Sequence, residues 1–275
     1  MTAKKLIYPD IKLIYWAGGN PFHHQQDLNR LVKAWQKPDT IIVNEIWWNS
    51  QARHADIVFP ANTALERNDI MLNPRDPTIV ANTKAMKSFG DSKTDYEIFS
   101  GLASKLGFGE LFTENRNEMD WIKFIWNESS KICEEYKINL PEFSEFWNNG
   151  FFEVPTSENK KVLLKEFYQD PITNPLNTPS GKIEISSKTI ASFNLSDCPS
   201  HPQWLEPYEW LGKVDKYPLH LISNQPTHRL HGQLDNAISS QNGKIAGREP
   251  VLINSKDADK RGIKSGDIVV LSNDR

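Results

Sequence analysis

The sequence predicts a mixed α/β protein that begins with a parallel sheet and becomes β-rich towards its end. Apolar, β-branched runs alternate with helix-like patterns in the first part of the chain, a proline-rich stretch of poor periodicity follows, and β-branched runs then return. We therefore divide the 275 residues into an α/β region (1–150), a mostly helical or irregular connecting segment (151–212) and a terminal β region (213–275).

The first elements follow a strand–helix–strand order. Ile11–Ala17 is an apolar run that two glycines end, which predicts a buried strand. Helical spacing predicts a helix within His23–Gln36, and Thr40–Glu45 predicts the next strand. A short helix in Asn49–Ala55 and a third strand over Asp56–Ala61 follow. Strands in this order pair in parallel through right-handed crossovers, so we expect a parallel sheet.

Helices dominate the rest of the α/β region. Thr94 and Glu97 have the spacing of a capping box, which predicts that a helix begins there and ends at Gly107. Apolar residues at helical spacing predict a second helix over Glu118–Tyr136, and Leu140–Gly150 predicts a third, shorter one.

Regular patterns become rarer past residue 150. Ser180–Ser187 is strand-like within the proline-rich connecting segment. Beyond it, Pro218–Pro226, Glu249–Ser255 and Asp267–Asn273 have the β-branched and apolar character of strands, and a short helix precedes the last of them. The terminal region is therefore predicted to be β-rich.

Composition argues against several classes of protein. A net charge of −3 with scattered lysine and arginine argues against a nucleic-acid partner, and no apolar run is long enough to predict a membrane span. The two cysteines, Cys133 and Cys198, form no CxxC pair, which argues against a zinc ribbon or an iron–sulfur cluster and favours free thiols.

The stretch "YWAGGNPFHHQQDLNRL" and the end of the following strand form a first candidate site. Its glycines would allow a ligand to approach the backbone at a helix start. Asn44 and Glu45 then stand where an acidic residue binds a ribose in dinucleotide folds. Since GGNP is not GxGxxG, nucleotide binding and an ordinary strand–helix loop both stay open. His23 and His24 lack metal-site spacing and favour hydrogen bonding.

Two further polar stretches are candidates. Ser223–Asn236 concentrates neutral donors around Arg229, which suits a polyanionic ligand rich in heteroatoms but also a polar surface loop. Ala52–Ile70 holds charged residues that could form either a salt-bridge network or the rim of a ligand site. No P-loop and no Ser-His-Asp or Cys-His spacing is visible.

Five stretches resemble, in the same order along the chain, sequences of molybdopterin oxidoreductases. The resemblance covers essentially the whole chain, so it is far more specific than a glycine pattern. Within the family, the chain is similar to the dimethyl sulfoxide reductase type, which includes trimethylamine-N-oxide and biotin sulfoxide reductases. The stretches are Tyr15–Leu31, Ala52–Ile70, Asn174–Ile185, His220–Asn236 and Gly247–Arg275.

The resemblance implies a cofactor in which molybdenum is bound between two molybdopterin guanine dinucleotides, without an iron–sulfur cluster in this chain. It implies oxygen-atom transfer from an S- or N-oxide in anaerobic respiration, with a cytochrome as the candidate electron donor and with a periplasmic location favoured. Residues 1–150 would bind dinucleotide, and residues 213–275 would begin a double-psi β-barrel. Because molybdenum ligation is expected in the remainder of the same enzyme, this chain would be inactive alone.

The resemblance also implies which residues contact the cofactor, and it assigns neither a catalytic residue nor a metal ligand. Asn20 and His24 would contact a dinucleotide at the first strand–helix turn, while Asn44 and Glu45 would contact guanosine. Relatives often have serine where this chain has Gly232, which removes a hydroxyl contact there. The alternative function is a non-catalytic nucleotide-binding module. The remaining implied contacts are Arg67, Asp95, Ser223, Asn224, Gln225, Arg229, His231, Gly232 and Gln233.

Overall fold

The computed structural model describes residues 8–156, 162–214, 216–230 and 234–274. The chain divides into two compact units, each treated by itself below. The larger unit comprises Asp10–Pro155 and Ser223–Arg275, and the smaller comprises Met1–Pro9 and Thr156–Ile222.

A three-stranded parallel sheet opens the larger unit, as predicted. Its strands are β1 (Leu13–Ala17), β2 (Thr40–Glu45) and β3 (Ile57–Pro60), in that spatial order. Ala17 pairs with Asn44, and Glu45 pairs with Pro60. The carboxyl ends of the three strands therefore meet at one edge of the sheet.

The helix predicted over His23–Gln36 is in fact two helices. A short α1 (Pro21–His24) begins with proline, which is favourable in the first helical turn, and it ends where Gln25 takes an extended conformation. The side chain of Asp27 then accepts a hydrogen bond from the backbone N–H of Arg30 and caps α2 (Leu28–Trp35). The predicted short helix forms as α3 (Ser50–Arg53).

The core beneath this sheet is built from β2 and from the two helices that follow β1. Ile41 and Val43 are fully buried, and Phe22 and Trp35 pack against them. The indole N–H of Trp35 donates to the carbonyl oxygen of His54 over 2.9 Å, so this buried aromatic keeps its polar atom satisfied.

A second sheet, which is antiparallel, was not predicted. It consists of β4 (Asp69–Asn73), β5 (Asp76–Asn82) and β6 (Phe151–Glu153), in that order. β4 and β5 form a hairpin, whereas β6 comes from far along the chain and pairs Phe151 with Val80. A three-residue strand has too weak a local pattern to be predicted without its partner.

Helices cover this second sheet. The capping box at Thr94 is present and begins α4 (Asp95–Lys105), while Asn117 caps the longest helix. Trp126 stacks on Phe146 with ring centroids 3.8 Å apart, and both are buried. This pair, together with Ala81, forms the second core of the unit. The further helices are the unpredicted α5 (Gly109–Thr113), α6 (Glu118–Glu135) and α7 (Phe143–Asn149), which ends at Gly150 as predicted.

The later strand predictions are not confirmed. Among the described residues after 153, the one β-type pairing is an isolated bridge between Ile245 and Arg248. The predicted strands Ser180–Ser187, Pro218–Pro226, Glu249–Ser255 and Asp267–Asn273 form no ladder, because a β pattern does not itself supply the neighbouring hydrogen-bonding strand. The elements that do form are α8 (Lys165–Gln169), α9 (Lys188–Ala191), α10 (Ile238–Asn242) and α11 (Ser255–Asp259).

Within the part of the chain that the structure describes, no helix is long and apolar enough to cross a membrane.

Candidate cofactor-binding site

The carboxyl edge of the parallel sheet is the candidate site. Ligands of open α/β sheets bind outside the carboxyl ends of the strands, where loops lead into helices. After β1 the backbone turns through Gly18 and Gly19, whose φ angles of 80° and 72° are strained for residues with a side chain. This turn delivers Asn20 to the start of α1.

Asn20 is buried, with 4% of its surface exposed. Although it stands at the N-cap position of α1, its side chain does not cap the helix. Neither atom of its side-chain amide has a hydrogen-bond partner among the described residues. A buried amide without partners costs about 1–3 kcal/mol, so the position fits a residue whose partner is a ligand.

Asn44 and Asp95 are brought together at the same edge, although 51 positions separate them in the sequence. The Asn44 amide donates to Asp95 over 2.7 Å, and its oxygen accepts from the Tyr15 hydroxyl over 2.9 Å. Burial and the nearby charge of Asp95 raise the pKa of Tyr15, against the lowering effect of the Asn44 hydrogen bond. Tyr15 therefore stays protonated and holds Asn44 in place.

The other predicted residues of the α/β region have different surroundings. Glu45 is half-buried, and its carboxylate accepts from the backbone N–H of Ile46 over 2.9 Å. His24 is exposed in the last turn of α1. Arg67 forms an ion pair with Asp69, two residues further along the chain, over 3.1 Å.

The charged stretch Ala52–Ile70 contains a buried carboxylate with a structural role. Glu66 accepts from the backbone N–H and hydroxyl of Thr63, each over 2.8 Å, and from the backbone N–H of Phe89 over 2.7 Å. These hydrogen bonds, led by the one from the Thr63 backbone, lower the pKa of Glu66. Glu66 therefore has a structural role through neutral hydrogen-bond donors, while the ion pair of Arg67 with Asp69 is of the kind expected for a salt-bridge network.

The C-terminal polar stretch is held by its own contacts. Ser223, Asn224 and Gln225 are exposed, and the Gln225 amide donates to the carbonyl oxygen of Arg229. Arg229 pairs with Glu249 over 2.5 Å. His231, Gly232 and Gln233 lie outside the described residues.

The C-terminal stretch also contacts the loop after β2. The Asn236 amide donates to the carbonyl oxygen of Trp48 over 3.4 Å. Two buried polar groups in these segments were not anticipated, namely the amide of Gln51 in α3 and the hydroxyl of Ser240 in α10. Both side chains are fully buried, and neither has a hydrogen-bond partner among the described residues. Burial is a tertiary property, so their sequence patterns gave no signal.

Comparison with known proteins identifies the family. Residues 2–105 match the model of the molybdopterin oxidoreductases, and residues 219–275 match the model of the molydopterin dinucleotide binding domain. The chain belongs to the molybdopterin oxidoreductase family. Both matched segments contain residues that were singled out from the sequence as ligand contacts.

Several curated members of this family are similar over almost all of the chain. A dimethyl sulfoxide/trimethylamine N-oxide reductase from Cereibacter sphaeroides is 47% identical over 98% of this chain and 33% of its own length. A biotin sulfoxide reductase from the same organism is 45% identical over 98% of the chain and 36% of its own length. A trimethylamine-N-oxide reductase from Haemophilus influenzae is 43% identical over 98% of this chain and 34% of its own length. The chain thus spans about a third of the length of these relatives.

A solved structure supports the fold. Acetylene hydratase from Pelobacter acetylenicus superposes with a TM-score of 0.50 at 18% identity, covering 73% of this chain and 25% of that one. At this identity the likeness concerns the mixed α/β architecture alone.

The residues at the sheet edge fit the cofactor that the family implies, a molybdopterin dinucleotide with molybdenum. The amide of Asn20, which no described residue pairs, can donate to and accept from a nucleotide. Glu45 and Asp95 would repel phosphate, but they can accept N–H and O–H hydrogen bonds from a base or a ribose. The edge therefore suits the nucleoside end of the dinucleotide better than its phosphates.

Proposed function

We propose that this chain is the cofactor-holding part of a molybdenum bis(molybdopterin guanine dinucleotide) enzyme that reduces S- or N-oxides. The substrates would be trimethylamine N-oxide, dimethyl sulfoxide or biotin sulfoxide. The observation that carries the proposal is the burial of Asn20 at the carboxyl edge of a parallel sheet, where its amide has no partner within the described residues. It occurs in a chain that is 43–47% identical to reductases of these oxides.

The residues of this chain would bind and orient the cofactor. When bound, the molybdenum cofactor supplies two-electron chemistry and transfer of one oxygen atom. Asn20 and His24 would contact a dinucleotide at the first turn, and the group formed by Asn44, Glu45 and Asp95 would hydrogen-bond guanosine. Arg67 would add a contact if its pairing with Asp69 opens. The contacts proposed along the pterins and phosphates are Ser223, Asn224, Gln225, Arg229, His231, Gly232 and Gln233.

The finer architecture and the partners are part of the same proposal. Residues 213–275 would contribute to a double-psi β-barrel, a proposal supported by the match of residues 219–275 to the dinucleotide-binding model. Strand pairing there would need partners beyond the described residues. A cytochrome would donate electrons, and the complete enzyme would be periplasmic.

Guanine nucleotide binding is the first test. The wild-type chain should bind GDP in a calorimetric titration, and Asn20→Ala should weaken binding about 5- to 10-fold because it removes one uncompensated hydrogen-bonding group. Leu13→Ala, at an exposed position near the opposite end of β1, serves as the control and should bind as the wild type does. If the wild-type chain binds GDP and Asn20→Ala binds it equally well, the contact assigned to Asn20 is refuted.

Catalysis is tested on a full-length enzyme that contains this sequence. With reduced viologen as electron donor, it should reduce trimethylamine N-oxide or a sulfoxide and should contain molybdenum. GDP binding without molybdenum and without oxide reduction would instead support the alternative, a non-catalytic nucleotide-binding module.

A further inference from the structure

We propose that Gln51 is a further binding residue for the nucleoside part of the guanine dinucleotide. This inference rests on the proposed function and adds a contact that neither the sequence motifs nor the family resemblance assigned. It follows from three features of Gln51, namely its position, its burial and the chemistry of its amide.

The position of Gln51 is next to the candidate edge. It lies in the first turn of α3, which begins five residues after the carboxyl end of β2. Asn49 caps this helix by accepting from the backbone N–H of Ala52 over 3.1 Å. The helix also lies against α1, because His54 stacks on Phe22 with ring centroids 4.4 Å apart. Gln51 and Asn20 therefore both stand at starts of helices that pack together.

The burial of Gln51 is complete, and its amide is unsatisfied. Its side chain is 0% exposed, and neither its oxygen nor its nitrogen has a hydrogen-bond partner among the described residues. Asn44 is buried to a similar degree, but it has two partners, Tyr15 and Asp95. Buried polar side chains are nearly always hydrogen-bonded, so this unpaired amide indicates a partner beyond the described residues, and a bound ligand is such a partner.

The C-terminal part of the unit contributes an independent observation. Asn236 donates to the carbonyl oxygen of Trp48, in the loop that leads into α3. Near it in the chain, the hydroxyl of Ser240 is fully buried and also has no partner within the described residues. Buried polar groups that no described residue pairs thus occur both in α3, at Gln51, and in α10, at Ser240, as expected around a polar ligand.

The chemistry of the Gln51 amide favours the nucleoside over the phosphates as its binding partner. A glutamine amide is neutral and offers both a donor and an acceptor, which complements the edge of guanine and the ribose hydroxyls. The carboxylates of Glu45 and Asp95 make this edge unfavourable for phosphate. Gln51 would therefore contribute to recognition of guanosine more than of the pyrophosphate.

The test exploits two effects of opposite sign in Gln51→Met, which keeps the shape of the side chain and removes the amide. Without ligand, the variant should melt about 2–6 °C higher than the wild type, because it no longer buries an unpaired polar group. Its affinity for GDP should nevertheless fall about 10-fold, and that for guanosine by the same factor. Gln36→Met, at an exposed residue after α2, is the matched control and should change neither quantity.

Each other outcome has a defined meaning. A lower melting temperature for Gln51→Met would show that the protein itself pairs the amide, and it would overturn the proposal. Unchanged GDP affinity would also overturn it, as would a loss confined to GDP and absent for guanosine, which would indicate phosphate contact. If the wild-type chain binds neither GDP nor guanosine, the proposed function fails as well. If the wild-type chain binds GDP and Gln51→Met binds it equally well, only the contact proposed for Gln51 is refuted, and the proposed function stands.

Discussion

The parallel sheet and the C-terminal segment belong to the same compact unit, yet the predicted strands form in one and not in the other. β1, β2 and β3 follow each other closely in the chain, and each pairs with the next. In the described residues after 223, by contrast, the predicted strands leave Leu252 and Val270 97% and 87% exposed. A strand pattern is realised when a neighbouring strand is available to accept its hydrogen bonds and cover its apolar face.

The largest expected effect comes from the core of the helical part. Trp126→Ala removes one partner of the buried stack with Phe146 and should lower the free energy of unfolding by about 3–5 kcal/mol. Urea unfolding followed by circular dichroism measures the change. Leu252→Ala, in the C-terminal segment, should change the same quantity by less than about 0.5 kcal/mol because the residue is exposed. Similar losses in both variants would mean that the C-terminal segment is packed.

An intermediate effect is expected from the helix caps. Thr94→Ala removes a buried capping box at the start of α4 and should cost about 1 kcal/mol, whereas Thr94→Ser should retain most of the stability. The corresponding change at α11, Asn254→Ala, removes an exposed cap and should cost about 0.5 kcal/mol. Thermal melts of the three variants compare the cap of α4 with that of α11. If Asn254→Ala lowered the stability as much as Thr94→Ala does, the expected difference between the two caps would be wrong.

A smaller, pH-dependent effect is expected from Glu66. Its pKa is lowered from 4.5 by hydrogen bonds from Thr63 and Phe89, so its folded state binds a proton less readily than its unfolded state. The resulting stabilisation is fully present above the unfolded pKa and disappears as the pH falls through the lower folded value. Urea midpoints measured between pH 7 and pH 3 should therefore fall more steeply for wild type than for Glu66→Gln.

The control for Glu66 is an exposed carboxylate. Glu206→Gln, in the smaller unit, should leave the steepness of the acid limb unchanged because Glu206 is exposed and pairs with Lys213 at the surface. If the urea midpoints of wild type and Glu66→Gln fall equally steeply between pH 7 and pH 3, the hydrogen bonds to Glu66 do not stabilise the fold.

The candidate site was predictable only in part. Asn20 and Asn44 could be placed at the strand ends, because a strand followed by a polar turn is a local pattern. The pairing of Asn44 with Asp95 joins two predicted residues through a contact that no spacing reveals. The ion pair between Arg67 and Asp69 was not predicted, and the cofactor contact of Arg67 stays a prediction. Gln51 was missed because nothing in its neighbours indicates that its amide is buried.

The sequence alone determined the elements that depend on near neighbours in the chain. The strand–helix–strand order, the capping box at Thr94 and the stop at Gly150 all arise from periodicity or from hydrogen bonds within a few residues. Only the tertiary structure decided that β6 pairs with β5, and that Asn20 and Gln51 are buried without a partner in the part of the chain that the structure describes. Those features join residues far apart in the chain, so they depend on how the backbone is arranged in space and have no local signature.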